Sequence, residues 1–432
     1  MSALRNVITG GAIVVVASGL TAAAQTLLIT GKHPSIFIES IGPTVRPISF
    51  PSFSGAHAIW GATGQDSRGH IWFGVTAQGA GASAHLFEYD PDSDRAIDRG
   101  NVLDQLAQAG VLRRGEGQAK IHSRIVQGPD DYLYFASMDE DGESEDGSRL
   151  PTWGGHLWRL KLQAGRWEHL KAVPEALIAV AGGGRFIYAL GYYGHVLYRF
   201  DTSTQDFKRV VVGSVGGHVS RNLIVDYRGH AYVPRLESGP SRTPESLRVS
   251  IVEYDSELRE VNATPIEPQH YVDGNPTDAH GIIGIQEMAD RSWYFTTHVG
   301  FLFHIVPPAP GAANSGSPAA VASIGWFDPN GRAYVASLFT VDGAQTLLGL
   351  ARDSLREGST SAYHWLTCDL GASRCRVAPF AVAGIPSDRI QQSALYGSTT
   401  HDAQNHFYVV GVGPMSTTGD GPILLSVTPR PR

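Results

Sequence analysis

The chain has 432 residues, 42% of them hydrophobic and 17% charged, with 50 Gly and 25 Pro. That balance excludes a disordered polymer and asks for a folded chain with many turns. A formal charge of −7 supplies no basic face for a phosphate backbone, so nucleic acid is excluded as a partner.

Residues 1–24 read as an export signal. Arg5 is followed by an apolar stretch from Val7 to Leu20, and Ala22, Ala23 and Ala24 form an A-x-A-like cleavage site that leaves Gln25 as the new start. An uncleaved N-terminal anchor is the alternative, since roughly nineteen weakly polar residues can span a bilayer. Either way the expectation is a periplasmic or secreted protein, with residues 25–432 as one domain and no other membrane contact.

A repeat then organises the rest of the chain. Its strict form is Asp, two residues, Gly or Asn, one residue, an apolar residue, an aromatic and a β-former. It occurs as "DSRGHIWF" at Trp72, "DYRGHAYV" at Tyr232, "DPNGRAYV" at Tyr334 and "DAQNHFYV" at Tyr408. Looser copies are "GPDDYLYF" at Tyr134, "GGGRFIYA" at Tyr188 and "MADRSWYF" at Tyr294, making seven. Asp starts a turn by bonding its own backbone, Gly or Asn accepts positive φ, and the aromatic opens the next strand. A third strand follows in "HLFEYD", "HLWRL", "HVLYRFD" and "SIVEYD". The predicted fold is all-β: a seven-bladed β-propeller with four-stranded antiparallel blades around a central channel. A two-sheet sandwich is the competing arrangement. Residues from about 30 to 54 are expected to supply a strand that closes the ring with the last blade. The one helix expected is "NVLDQLAQAGVL" at 101–112, between the first two blades.

Seventeen histidines fall into classes by their place in the repeat. His70, His230 and His406 follow the turn Gly or Asn and are expected to be solvent-exposed. His57, His122, His218 and His280 precede the turn aromatic by twelve to fifteen residues, which puts them at the start of the innermost strand. Four imidazoles around one axis would hold iron, manganese, copper or zinc, or act as an acid–base pair. Bonding to neighbouring backbones and buried water is the structural alternative. His85, His156 and His195 begin third strands, and His298 leaves the second strand of blade five.

Arg124 and Arg221 follow His122 and His218 closely, and a guanidinium beside the channel suits a carboxylate or another anion. Pairing with acids between blades is equally open. Tyr192, Tyr193 and His195 add possible proton donors. The acidic run "DEDGESEDG" at 139–147 lacks the spacing of the twelve-residue calcium loop and reads as a solvated loop. Cys368 and Cys375 read as a disulfide staple, because two thiolates are half of a zinc set. Nucleotide-binding, haem-attachment and Gly-x-Ser-x-Gly motifs are absent from the sequence.

At "KIHSRIVQGPDDYLYFASMDEDGE" and "GGHLWRL" the chain resembles virginiamycin B lyase-like propellers and the seven-bladed polysaccharide lyases, including ulvan lyases. The resemblance implies a site of His, Tyr and Arg in which one group neutralises a uronate carboxylate and another removes the adjacent proton. His122 of "KIHS" matches a catalytic His of the polysaccharide lyases, and blade five offers His280 followed by His298. Carotenoid-cleaving oxygenases, which are propellers holding iron on four axial histidines, are similar in architecture only.

The functional expectation is therefore an exported propeller lyase acting by β-elimination on an anionic or polyhydroxylated substrate, either a small molecule or a polysaccharide. Its expected catalytic residues are His122, His218 and His280, with Arg221 and Arg124 for the anion and Tyr193 as acid. One alternative is a metal oxygenase using His57, His122, His218 and His280 to hold a divalent metal such as Fe, Mn or Zn. The other is a non-catalytic binding or scaffold propeller.

Overall fold

The computed structural model describes residues 34–430 except 80, 145–147, 163, 193–194, 215–219, 238–245, 268–280, 312–315, 342, 344, 354–361 and 417–418. The expected export segment and the candidate residues Tyr193, His218 and His280 lie outside the described residues.

The repeated Asp organises a turn in the way its spacing requires. In blade 1, Asp66 Oδ1 accepts from the backbone N–H groups of Arg68 and His70 at 2.9 and 3.1 Å, and Oδ2 accepts from Trp72 Nε1 at 2.9 Å. Asp226 takes Arg228 N, His230 N and the Tyr232 hydroxyl at 2.8, 3.1 and 2.7 Å. Asp402 does the same with Gln404, His406 and Tyr408. One carboxylate thus ties two turn amides to the ring that starts the next strand. The fourth turn residue has positive φ, +86° at Gly69, +79° at Gly229 and +60° at Asn405, which explains Gly or Asn there.

These hairpins build seven sheets, mostly antiparallel and four-stranded. They span 56–101, 120–173, 177–211, 224–266, 285–326, 334–379 and 394–428, numbered here as blades 1 to 7. In blade 1 the inner pieces Ala56–Ala58 and Thr63–Gln65 both pair with Ile71–Ala77, followed by His85–Asp90 and Arg95–Asn101. Every residue of Ile71–Ala77 is buried, and none of Arg95–Asn101 is. Both faces of the second strand are covered by neighbouring blades, while the outermost strand meets water.

The core is distributed. Among the described residues seven hydrophobic clusters occur, and each joins one blade to the next: 1 to 2, 2 to 3, 3 to 4, 4 to 5, 5 to 6, 6 to 7 and 7 to 1. The cycle closes on itself, which a sandwich cannot do. Near the axis the sheets approach closely; a Cβ on Gly397 of blade 7 would lie 1.5 Å from the Ala336 carbonyl oxygen of blade 6.

Closure comes from the N-terminal segment, as expected. Thr44–Pro47 pairs antiparallel with Gly419–Thr428 as the outermost strand of blade 7. Ile48, Phe50 and Phe53 continue into the cluster between blades 7 and 1. An additional strand, Ser35–Ile38, runs parallel to Arg374–Pro379 and makes blade 6 five-stranded.

Two expectations need correction. "DPNGRAYV" does not lead into a second strand: Tyr334 opens the innermost strand of blade 6, Tyr334–Thr340, and the second strand is Thr346–Arg352. An Asp turn serves here between blades, with Asp328 accepting from Asn330 N at 2.8 Å, but its other oxygen bonds His364 rather than the Tyr334 ring. The expected helix forms as Val102–Gln108, capped by the Asn101 side chain on Asp104 N, but a second one, Ser387–Gln392, precedes blade 7. The expected staple is present: Cys368 and Cys375 are direct partners on adjacent strands and are disulfide-bonded.

Candidate functional site

The turn histidines are not the exposed residues their position suggested. His70 Nδ1 bonds Glu88 at 2.6 Å, His230 Nδ1 bonds Glu253 at 2.7 Å, and His406 Nδ1 bonds Asp402 at 2.8 Å. All three are partly buried. The third-strand histidines are likewise held within or between blades. His85 stacks on Phe53 and bonds Asp98, whereas His156 lies between Glu116 and His169. His195 is fully buried beside Ser214.

At the opposite end of the inner strands, side chains from several blades converge on the axis. His57 lies in the inner strand Ala56–Ala58, and Trp60 follows it. The Trp60 ring centroid is 6.2 Å from that of His57, 6.5 Å from His122 in nearly parallel orientation, and 4.6 Å from Tyr396 of blade 7. Lys120 Nζ sits 5.3 Å from the same indole and is paired with Glu140. The run 139–147 is therefore not simply a solvated loop: Asp139 is buried and Glu140 is paired.

Arg221 joins these groups. Its backbone is braced between blades 4 and 5, because Asn222 N donates to Ile282 O at 3.0 Å and Ile282 N donates to Ser220 Oγ at 3.0 Å. From there Nη1 donates to His122 Nε2 at 3.2 Å, and Cζ lies 5.0 Å from the Tyr396 ring centroid. A blade 4 side chain thus touches blades 2 and 7 and crosses the channel mouth.

Burial works against the Arg221 charge. The nearby phenols of Tyr334, Tyr192 and Tyr396 and the Glu140 carboxylate outweigh that, so its pKa is raised. Among the described residues no Asp or Glu lies within ion-pair distance of it. His122 moves the other way. Burial first, then the charges of Arg221 and Lys120, hold it well below 6.5. A guanidinium only donates, so His122 Nε2 accepts and the imidazole proton sits on Nδ1. In that form His122 has no lone pair to spare for a metal.

Arg124 is enclosed further along the channel. Burial lowers its pKa to about 10, partly offset by Glu287 on the inner strand of blade 5. No hydrogen bond or ion pair among the described residues joins it to His122 or Arg221.

The structure therefore brings together His57, His122 and Arg221, with Tyr192 nearby, and leaves Arg124 apart. Sequence reasoning missed Trp60, Tyr396 and Tyr334. Trp60 had a signal, standing three residues after His57 in "GAHAIW"; the two tyrosines carry no local motif for an axial position. Trp60 Nε1, Arg221 Nε and the Tyr334 hydroxyl are buried with no hydrogen-bond partner among the described residues.

Three clusters of metal-type donors occur among the described residues: Asp66, His70 and Glu88; Asp226, His230 and Glu253; Asp328, Asp353 and His364. None contains His57 or His122. The first two are the turn networks above, already neutralised by Arg68 and Arg228. A cavity of about 240 Å³ lies at the rim between blades 5 and 6, beside the disulfide and away from the axis.

No family model matches the chain, and no curated protein matches it in sequence. Among solved structures it is similar to the β-propeller domain of Cps50 (Swd1) from Myceliophteria thermophila. That match has 9% identity and a TM-score of 0.51, and covers 88% of this chain and 99% of that one. A structure of U3-55K matches at 9% identity and a TM-score of 0.50, over 89% of this chain and 100% of that one. At such identity the likeness shows the propeller fold alone.

Proposed function

We propose that this propeller is a binding protein that takes an anionic ligand at the mouth of its central channel, with Arg221 as the anchor. The observation that carries this reading is the enclosed Arg221 charge with no carboxylate at ion-pair distance among the described residues. Its charge is offset by phenols and by Glu140 without a direct carboxylate contact, and an incoming anion supplies that contact. The bound anion then stabilises the fold by mass action. Titrating purified protein with acetate, phosphate and sulfate at constant ionic strength should raise the unfolding temperature for at least one of them. Arg221→Met should abolish that rise while the circular dichroism spectrum stays unchanged. Equal responses from the wild type and the variant would refute the reading.

A lyase reading is favoured by one contact, the 3.2 Å pair of His122 and Arg221. A neutral imidazole beside a carboxylate-binding guanidinium is the pair that β-elimination from a uronate needs. The same guanidinium occupies the Nε2 lone pair a base would use and lowers the imidazole pKa, which is why binding without chemistry leads. Incubation with polyuronates distinguishes the two: unsaturated products that vanish in His122→Gln favour the lyase. Export remains part of the proposal, and the Cys368–Cys375 bridge suits an oxidising compartment.

A further inference from the structure

We propose that the ligand of this mouth is a monocarboxylate borne on a ring, its carboxylate gripped side-on by the Nε–Nη2 edge of Arg221. The inference rests on the anion-binding reading and names the class of anion.

A guanidinium offers two edges that can each make a pair of parallel hydrogen bonds to a carboxylate. In Arg221 the Nη1 group is committed to His122. Nε is buried and has no partner among the described residues, so the edge left to a ligand is Nε with Nη2. Cation–π stacking on Tyr396 at 5.0 Å holds the plane of that edge.

The other uncommitted groups nearby ask for an acceptor. Trp60 Nε1 can only donate, and the buried Tyr334 hydroxyl brings a proton with no acceptor among the described residues. Burying a donor without a partner costs free energy that a carboxylate oxygen would recover. Among the described residues at the mouth Lys120 is paired with Glu140, which leaves Arg221 as the cation on offer there. One such cation matches a monoanion better than a dianion.

The walls describe the remainder of the ligand. Trp60 and Tyr396 stand 4.6 Å apart at 42°, with the His122 ring nearly parallel to Trp60. These are apolar faces beside a charged fork. A small anion such as acetate would satisfy the fork alone, whereas a ring attached to the carboxylate would also pack on the parts of Trp60 and Tyr396 that are only half-buried.

Calorimetric titration tests this with benzoate, cyclohexanecarboxylate, acetate, phosphate and benzyl alcohol. Benzoate and cyclohexanecarboxylate should bind at least about tenfold more tightly than acetate or phosphate, and benzyl alcohol should not bind. Arg221→Lys keeps the charge and loses the fork, so it should weaken benzoate about tenfold or more while narrowing its advantage over phosphate. Trp60→Phe keeps a wall without the N–H, and Tyr334→Phe removes the hydroxyl. Each should weaken benzoate about tenfold, the fold-change of one lost hydrogen bond to a charged group. Near-UV circular dichroism confirms that each variant is folded. If acetate or phosphate binds as tightly as benzoate, the ring-carboxylate inference is wrong and the anion site stands. If none of the anions binds the wild type, both fall.

Discussion

Asp226 shows how much one repeated side chain carries. Its buried carboxylate accepts two turn amides and the Tyr232 hydroxyl and also pairs with the almost fully buried Arg228. Asp226→Ala would remove one of the two carboxylates paired with that enclosed guanidinium, so we expect a loss of about 3–5 kcal/mol. Asp255 makes a similar turn with Glu257, Arg259 and the exposed Arg259 side chain, where water replaces what is lost. Asp255→Ala should therefore cost much less. Urea unfolding of the two variants checks this, and equal losses would contradict it.

Histidines set a second prediction at the same scale. Burial, as the largest cause, lowers the pKa of His57, His122, His156 and His401, and takes His169 and His304 to about 4. A folded-state pKa below the unfolded value means that the unfolded chain binds more protons once the pH drops past about 6.5. The stability these groups allow is present above that pH and is lost progressively down to about 4. The urea midpoint should fall between pH 7 and pH 5. His304→Phe, which keeps a ring stacked on Tyr294, should shallow the fall. A midpoint that holds or rises over that range would contradict the assignment.

Among the elements, the two N-terminal strands differ sharply in what they contribute. Ser35–Ile38 is exposed at every position, while Thr44–Pro47 and Ile48 insert the buried Val45 and Ile48 into two blade interfaces. A chain beginning at residue 40 should lose little stability. One beginning at residue 50 should lose roughly 3–6 kcal/mol, the burial of two aliphatic side chains, and open the ring. Comparable stability for both truncations would mean that closure does not depend on the velcro strand.

Elements were legible where a side chain makes its own turn. Asp66, Asp226 and Asp402 announce their hairpins because, within seven residues, the carboxylate bonds the amides on both sides of the positive-φ residue and the ring that follows. Asp328 makes the same backbone turn without the bond to the ring, and it sits between blades 5 and 6. A turn motif reports a reversal of the chain, not which strands it joins. The short 40-residue step to Tyr334 and the 74-residue step beyond it were the trace of that displacement. Helix Ser387–Gln392 went unseen because its Pro386 cap supplies no side-chain hydrogen bond to signal it.

At the scale of the molecule, stability is spread over seven interfaces while recognition is gathered at one point. The seven clusters leave the axis out of the core, so polar and aromatic residues there are released from packing duty. His122 was legible by its place before an inner strand and Arg221 by its nearness to His218, but not their contact, which spans 99 residues and skips blade 3. Tyr334 and Tyr396 reach the same place from blades 6 and 7 through closure of the ring, which no local pattern encodes. Only the assembled fold puts these side chains around one guanidinium.

The most direct test of the central claim is a crystal structure of the protein grown with benzoate. Carboxylate density is expected at the channel mouth, its two oxygens about 2.8–3.0 Å from Nε and Nη2 of Arg221, with the ring against Trp60 and Tyr396 and the His122 contact retained. An Arg221 whose Nε is bonded to a protein carboxylate, with benzoate absent from the mouth, would contradict it.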